Sequence, residues 1–254
     1  MHCCAWLNVH TLLVDYRQRI PPIQHTPTLR DGCAACLTRF TRFQAASPRP
    51  QGHPKPQLSL ASNSPRRREI LQNLGYTIHN IAAEIDETPR PNETAHGYVL
   101  RLAIAKNRAA RQANPQAQQF PIISADTSVV HRGAILGKPT SPEHAAAMLR
   151  DLSGDTHQVL TAMCVSFGAQ EHAAVQQNNV QFCPLTAAQI AAYIATGEPL
   201  DKAGAYGIQG IGGVFVQHLA GSFTGVMGLP VFETIALLQR CGAAVPPFQA
   251  ALKS

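Results

Sequence analysis

The sequence predicts an α/β protein, with a mixed β-sheet flanked by helices. From residue 57 onward, short apolar runs typical of strands alternate with longer stretches whose apolar residues recur at helical spacing. At two predicted helix starts, Ser64-Pro65 and Ser141-Pro142, a capping serine precedes a proline suited to the first turn. The chain has 254 residues, 45% of them hydrophobic, which is enough to build a large core. We therefore expect one globular domain over residues 57–254.

The helices and strands are expected in a regular order along this domain. Strands are predicted at 58–62, 76–82, 121–130, 158–167, 173–183 and 212–219. Helices are predicted at 65–74, 93–113, 142–152, 186–196 and 229–241. Gly75 stands where a glycine commonly ends a helix, and Arg132-Gly133 is typical of a turn after a strand.

Residues 1–56 differ from the rest of the chain. They contain seven prolines and show little apolar periodicity, so they cannot bury enough apolar surface to offset the entropy of ordering. We expect a disordered or irregular N-terminal extension. Seven Lys/Arg and two acidic residues give this segment a charge of +5 out of the total of +6. The predicted domain is thus nearly neutral, which argues against a nucleic-acid-binding surface on it.

Composition also bears on compartment and metal content. No stretch approaches the roughly 20 consecutive apolar residues of a membrane-spanning helix, so we expect no membrane association. The seven cysteines are odd in number and irregularly spaced, unlike a secreted disulfide framework, which favours a cytoplasmic protein. Cys33 and Cys36 could form half of a zinc site, but no second CxxC or closely spaced histidine pair follows them.

Three arginines follow the first predicted strand, in the segment SNSPRRR at residues 62–68. The helix that begins there presents free backbone N–H groups and the positive end of its dipole. Arginines in that first turn are unfavourable by about 0.3–1 kcal/mol, unless an anion binds beside them. The segment therefore predicts a site for an anion such as a triphosphate, with a solvated basic turn as the alternative. It is not a P-loop, because the pattern GxxxxGK[ST] is absent.

An acidic residue, Asp126, lies in the middle of the apolar strand predicted at 121–130. A buried unpaired carboxylate is costly, so Asp126 is expected to pair with a cation, bind a metal or act as a base. Glu87, Lys106 and Lys138 could complete a site, because two carboxylates suit a divalent cation and lysines suit phosphates. The alternatives are a structural ion pair for Asp126 and a solvated helix face for Lys106.

A glycine-rich run, GEPLDKAGAYGIQG, covers residues 197–210. Its glycines allow the backbone to approach a ligand closely. The run is also longer than most connections, and long ordered loops are often functional. We expect a ligand-binding loop here, with a plain connecting loop as the alternative.

Taken together, these segments resemble the Maf family. The matching segments are LASNSPRRREIL (60–71), EIDE (84–87), ADT (125–127), GKP (137–139), GEPLDKAGAYGIQG (197–210) and GSFTGVMGLP (221–230). They occur in the family's order and cover about residues 57–242, and the first and fifth are long and specific. The resemblance implies an elongated, ITPase-like α/β fold with a nucleotide cleft, which can form a homodimer. It also implies a nucleoside triphosphate pyrophosphatase that uses a divalent cation, Mg²⁺ or Mn²⁺.

By position in these motifs, the resemblance assigns roles to nine residues. Asp126 matches the proposed proton acceptor, with metal binding as the other role, and Glu87 matches a metal-binding position. Arg66, Thr127 and Gln209 match the positions that distinguish the branch acting on dTTP and UTP. Four more match substrate-binding positions linked to phosphates, metal or catalysis: Ser62, Arg67, Lys106 and Lys138. The implied reaction is hydrolysis of dTTP and UTP to the monophosphate and pyrophosphate, by metal-assisted attack of water on the α-phosphorus.

The sequence departs from the family's usual pattern at a few positions. Thr224-Gly225 stands where Ser-Asn is common, Met227 replaces a common Val, and Asn107 follows Lys106 in place of Ala. None of these changes removes a named charged group, so activity is expected to survive. The competing hypothesis is a nucleotide-binding regulator of septum formation without significant turnover, which would not need the complete set of acids and bases.

Overall fold

A computed structural model describes residues 55–246 of the chain. Except for Lys55 and Pro56, the predicted N-terminal extension lies outside the described residues, and so do Cys33 and Cys36. The expectations for that segment stay predictions.

The strands are β1 Gln57–Ala61, β2 Thr77–Asn80, β3 Ile122–His131, β4 Ala134–Leu136, β5 Thr156–Phe167, β6 Gln170–Phe182 and β7 Val216–Ala220. Within the described residues they form one seven-stranded sheet in the order β2-β1-β3-β5-β6-β7, with β4 paired to β3. β1 is parallel to both of its neighbours, whereas every other pair is antiparallel. The mixed sheet that the sequence predicts is confirmed.

The α-helices are α1 Pro65–Asn73, α2 Ala95–Ala113, α3 Pro142–Leu152, α4 Ala187–Ala195, α5 Phe223–Met227 and α6 Val231–Arg240. Ala103 of α2 packs in one cluster with Leu160, while Leu71 of α1 and Leu238 of α6 pack in another with Met163. Leu160 and Met163 are three residues apart on β5, so they point to opposite faces of the sheet. The sheet is therefore covered by helices on both faces. Across the described part of the chain, no helix has the length and apolarity needed to span a membrane.

The two ends of α1 lie where the sequence predicts them. Pro65 is the first helical residue, and Gly75 follows the helix with a φ of 91°, a conformation that favours glycine. Ser64 occupies the cap position with an extended backbone, but its side chain makes no capping hydrogen bond. The expectation of a side-chain cap at Ser64 was wrong, and the first turn of α1 lines the large cavity described below.

One strand prediction was wrong in its first half. The strand expected at 212–219 begins only at Val216, because Ile211–Phe215 forms a 3₁₀ turn. The backbone N–H groups of Ile211 and Gly212 donate to the Glu198 carboxylate at 2.8 and 3.1 Å. These donors are thus committed to a side chain and do not join a strand ladder.

The register of β3 leaves part of its edge uncovered. β1 pairs with β3 at residues 122–124, and β4 pairs with the same edge at 129–131. Among the described strands, none pairs with residues 125–128 on that side, although β5 covers their other side. The gap lies beyond the carboxyl end of β1, the position where open α/β sheets commonly bind ligands.

Candidate active site

A cavity of about 790 Å³ lies at the uncovered edge of β3. Its wall combines the turn from β1 into α1, the middle of β3 and the glycine-rich loop at 197–210. All nine residues predicted from the sequence line this one cavity: Ser62, Arg66, Arg67, Glu87, Lys106, Asp126, Thr127, Lys138 and Gln209. The structure thus brings together groups that are up to 147 positions apart in the sequence, from Ser62 to Gln209.

Asp126 and Glu87 share one lysine. The Lys106 Nζ lies 2.8 Å from Asp126 Oδ1 and 2.8 Å from Glu87 Oε1. Asp126 is only 8% exposed, so its pairing offsets the cost of burying a carboxylate. Burial opposes protonation of Lys106, but the two carboxylates outweigh it, and the pKa of Lys106 is raised above its ordinary value. The solvated helix face considered for Lys106 was wrong, whereas the ion pair considered for Asp126 is present within the cavity wall.

Asn107, the residue that departs from the family's usual alanine, holds α2 against the sheet. Its side-chain amide donates to the carbonyls of Ile122 on β3 and Cys164 on β5, at 3.0 and 3.1 Å. The Ser166 hydroxyl in turn donates to Asn107 Oδ1 at 2.6 Å. Asn107 is fully buried, so these bonds fix the helix that carries Lys106. The departure therefore has a structural role beside the cavity.

Arg67 links three parts of the cavity wall. Its Nε donates to the Gly228 carbonyl at 2.8 Å, Nη1 donates to Ser62 Oγ at 2.9 Å, and Nη2 donates to Thr127 Oγ1 at 3.1 Å. Burial lowers the pKa of Arg67, and the nearby Asp126 charge partly opposes that effect. Because each of its nitrogens already has a protein partner, Arg67 orients Ser62 and Thr127.

Glu198 organises the glycine-rich loop, although no sequence signal distinguishes it from the other residues of the motif. Its carboxylate accepts the N–H groups of Ile211 and Gly212 and the hydroxyl of Tyr193, at 2.8 to 3.1 Å. Burial opposes ionisation of Glu198, but these donors outweigh it, so its pKa is lowered. A Cβ at Gly210 would overlap the Glu198 carboxylate. The glycine next to Gln209 is thus needed for the loop to close around Glu198.

The charged side chains of the cavity wall sum to a positive charge. Five are basic and three acidic, which gives +2. Two of them, Asp201 and Lys202, belong to the glycine-rich motif but are not among the predicted site residues. Lys202 Nζ donates to the Glu198 carbonyl at 2.9 Å and to Asp201 Oδ1 at 2.7 Å. The only sequence signal for these residues was their place in that motif.

Two acidic groups of the wall, Asp126 and Glu87, are the residues whose chemistry fits a divalent cation. The described residues contain no group of three or more His, Cys, Asp or Glu side chains placed to hold a metal by themselves. Mg²⁺ commonly binds one or two carboxylates and completes its coordination with water and substrate phosphates. Asp126 and Glu87 supply two carboxylates that meet at a single ammonium group, so the donor set suits a cation shared with a phosphate chain.

Comparison with known proteins identifies the family. A family model described as Maf-like protein matches residues 57–241. The chain belongs to the Maf-like protein family. A relative named dTTP/UTP pyrophosphatase, from Pasteurella multocida strain Pm70, is 56% identical over 192 residues, 73% of this chain and 96% of that protein. A Haemophilus ducreyi relative named nucleoside triphosphate pyrophosphatase is 54% identical over 75% of this chain and 98% of its own length.

Other comparisons of the Maf-like chain are more distant. An Escherichia coli relative of strain 536, also named dTTP/UTP pyrophosphatase, is 49% identical over 73% of this chain and 93% of that protein. The solved structure of the Staphylococcus aureus Ham1 protein aligns at 15% identity over 50% of this chain and 71% of that chain. Its TM-score of 0.35 is too low to relate the two folds.

Proposed function

We propose that this Maf-like protein hydrolyses dTTP and UTP to the nucleoside monophosphate and pyrophosphate. The observation that carries the proposal is that all nine residues predicted for this reaction line one cavity. The volume of about 790 Å³ lies within the usual range for sites of small molecules. Three relatives at 49–56% identity whose names include pyrophosphatase support the same activity.

The charge of the wall matches such a substrate. A nucleoside triphosphate bound to Mg²⁺ carries a net charge of roughly −2, and the cavity wall carries +2. Arg66 and Lys138 line the cavity, and we assign them to the charge that builds on the phosphates in the transition state. Arg67 is assigned to positioning, because three of its five N–H groups donate to Ser62, Thr127 and Gly228.

Asp126 is the proposed proton acceptor. Lys106 holds Asp126 Oδ1 at 2.8 Å, which fixes the carboxylate at the cavity wall where a water could attack the α-phosphorus. Asp126 and Glu87 would hold the Mg²⁺ or Mn²⁺ ion. When bound, that cation would polarise the phosphate oxygens as a Lewis acid. Pyrophosphate then leaves among the basic side chains of the wall.

Gln209 and Thr127 are the proposed contacts to the base. Both line the cavity, and Gln209 is exposed on the glycine-rich loop. Uracil and thymine present two carbonyl acceptors on either side of one N–H donor, which an amide and a hydroxyl can match.

We place the protein in the cytoplasm, where its nucleotide substrates are found. If the protein forms a homodimer, neither copy needs to contribute any of the nine residues to the cavity of the other, because all nine come from one chain.

The test is release of pyrophosphate from a panel of triphosphates in the presence of Mg²⁺. We expect dTTP and UTP to be cleaved much faster than ATP, GTP or 7-methylguanosine triphosphate. Asp126→Asn should lower kcat by roughly 100 to 10,000-fold while sparing dTTP binding. The control is Asp151→Asn, since Asp151 is exposed and lies outside the cavity. Binding of dTTP by the wild type without pyrophosphate release would instead support the regulator hypothesis.

A further inference from the structure

Thr127 takes part in a chain of hydrogen bonds that runs from the cavity into the core. Its Oγ1 lies 3.1 Å from Arg67 Nη2 and 3.1 Å from Thr161 Oγ1. Thr161, directly opposite on β5, is fully buried, and its hydroxyl donates to the Gly225 carbonyl at 2.8 Å. No sequence motif includes Thr161.

The direction of each bond in this chain follows from the groups involved. The Gly225 carbonyl can only accept, so Thr161 must use its single hydroxyl proton on that bond. Thr161 therefore accepts in its contact with Thr127, and the Thr127 proton points toward Thr161. An arginine can only donate, so Arg67 takes one of the two lone pairs on Thr127 Oγ1. The Thr127 hydroxyl is left with one lone pair and no proton for a ligand.

The Gly225 carbonyl that anchors this chain is itself fixed. It also accepts the N–H of Gly228, at 3.1 Å, and the Gly225 N–H donates to Ser222 Oγ at 3.1 Å. Both partners lie at the ends of the short helix α5, so the carbonyl is held by backbone structure. The orientation of the Thr127 hydroxyl is thereby set before any substrate binds.

We propose that Thr127 recognises the base only as a hydrogen-bond acceptor, and that Thr161 is the positioning residue that imposes this state. The inference rests on the proposed function and specifies how that site distinguishes pyrimidines. Uracil and thymine carry a hydrogen on ring nitrogen N3, which can donate to the free lone pair of Thr127. Cytosine has a lone pair at N3, which would face another lone pair. A hydroxyl that cannot turn therefore excludes CTP, although CTP has nearly the same size as UTP.

The experiment compares kcat/KM for UTP and CTP in three proteins. Thr161→Val keeps the shape of the buried side chain but removes its oxygen, so the Thr127 proton is released toward the cavity. We expect the CTP-to-UTP ratio of kcat/KM to rise on the order of tenfold in this variant. Thr161→Ser is the matched control, because it retains the hydroxyl and should retain the wild-type ratio. An unchanged ratio in Thr161→Val, or an equal rise in Thr161→Ser, would overturn the inference.

A second measurement uses the wild type alone and does not depend on whether a variant folds. The probe is 3-methyluridine triphosphate, which has no hydrogen on N3. Cleavage of this probe should be slower than that of UTP by at least about a hundredfold, and similar rates would overturn the inference. If the wild type releases no pyrophosphate from UTP, the proposed function itself fails. If it cleaves UTP and CTP equally, only the inference about Thr127 and Thr161 fails.

Discussion

The buried histidine behind the cavity predicts a pH dependence of stability. His157 is 1% exposed and packs edge-on against Phe182 and Tyr206. Its Nε2 lies 2.8 Å from the hydroxyl of Tyr206, which lines the cavity, while Nδ1 has no partner among the described residues. Burial lowers the pKa of His157 to about 4, with the His131 ring adding to the effect and Asp155 opposing it.

The sign and size of the effect follow from this pKa. The folded protein resists protonation of His157, whereas the unfolded chain binds the proton near pH 6.5. Above about pH 6.5, His157 is neutral in both the folded and the unfolded protein and does not lower the free energy of unfolding. As the pH falls from about 6.5 toward about 4, the free energy of unfolding decreases. Each pH unit in that window corresponds to about 1.4 kcal/mol. At about pH 5, His157 should lower the free energy of unfolding by about 2 kcal/mol relative to neutral pH.

The assay is urea unfolding near pH 7.5 and about pH 5, for the wild type and for His157→Gln. Glutamine does not titrate and can still form a hydrogen bond with Tyr206. The remaining titrating groups, including Asp155, are shared by both proteins, so their effects cancel in the comparison. The wild type should lose about 2 kcal/mol more than the variant between the two pH values. Equal losses would refute the argument that burial keeps His157 neutral.

Asn107→Ala removes three buried hydrogen bonds to the sheet, so we expect urea denaturation to show a loss of about 2–4 kcal/mol. Glu198→Gln introduces an amide donor toward the N–H groups of the loop, and kcat/KM for UTP should fall by about 10 to 100-fold in the pyrophosphate assay, with secondary structure by circular dichroism unchanged. Chelation with EDTA should abolish pyrophosphate release, and added Mg²⁺ should restore it. Deletion of residues 1–56 should leave the melting temperature and activity nearly unchanged, and a fall of several degrees would contradict that prediction.

Local signals predicted most of the fold. The bounds of α1 followed from Pro65 and Gly75, and the turn after β3 followed from Arg132-Gly133. These signals are local, because proline restricts and glycine widens the range of backbone conformations at their own positions. The strand expected at 212–219 failed for a different reason. Its first residue, Gly212, and the preceding Ile211 donate to Glu198, more than ten positions earlier, and no local pattern reports such a contact.

Some features of the site could likewise be predicted from nearby residues in the sequence, whereas others depend on contacts between distant residues. Asp126 could be singled out from the sequence, since an acid within an apolar strand must have a partner or a function. The partner of Asp126 could not be predicted, because the residues around Lys106 in the sequence are equally typical of a lysine on a solvated helix face. Only the packing of α2 on β3 brings Lys106 to Asp126. The uncovered edge of β3 likewise depends on where β1 ends and β4 begins, which is a property of strand register.

Around this cavity, the sequence motifs do not show which residues control substrate specificity and which contribute to packing. Asn107 departs from the family's pattern beside a site lysine. Its side-chain NH₂ group nevertheless donates to two backbone carbonyls, so Asn107 contributes to packing. Thr161 belongs to no motif, yet the direction of the Thr127 hydroxyl depends on it. The physical reason is that a hydroxyl has one proton, and its use is decided by the next acceptor along the chain of bonds. Specificity for the base should therefore respond more to Thr161→Val than to substitution of Asn107, which should mainly affect stability.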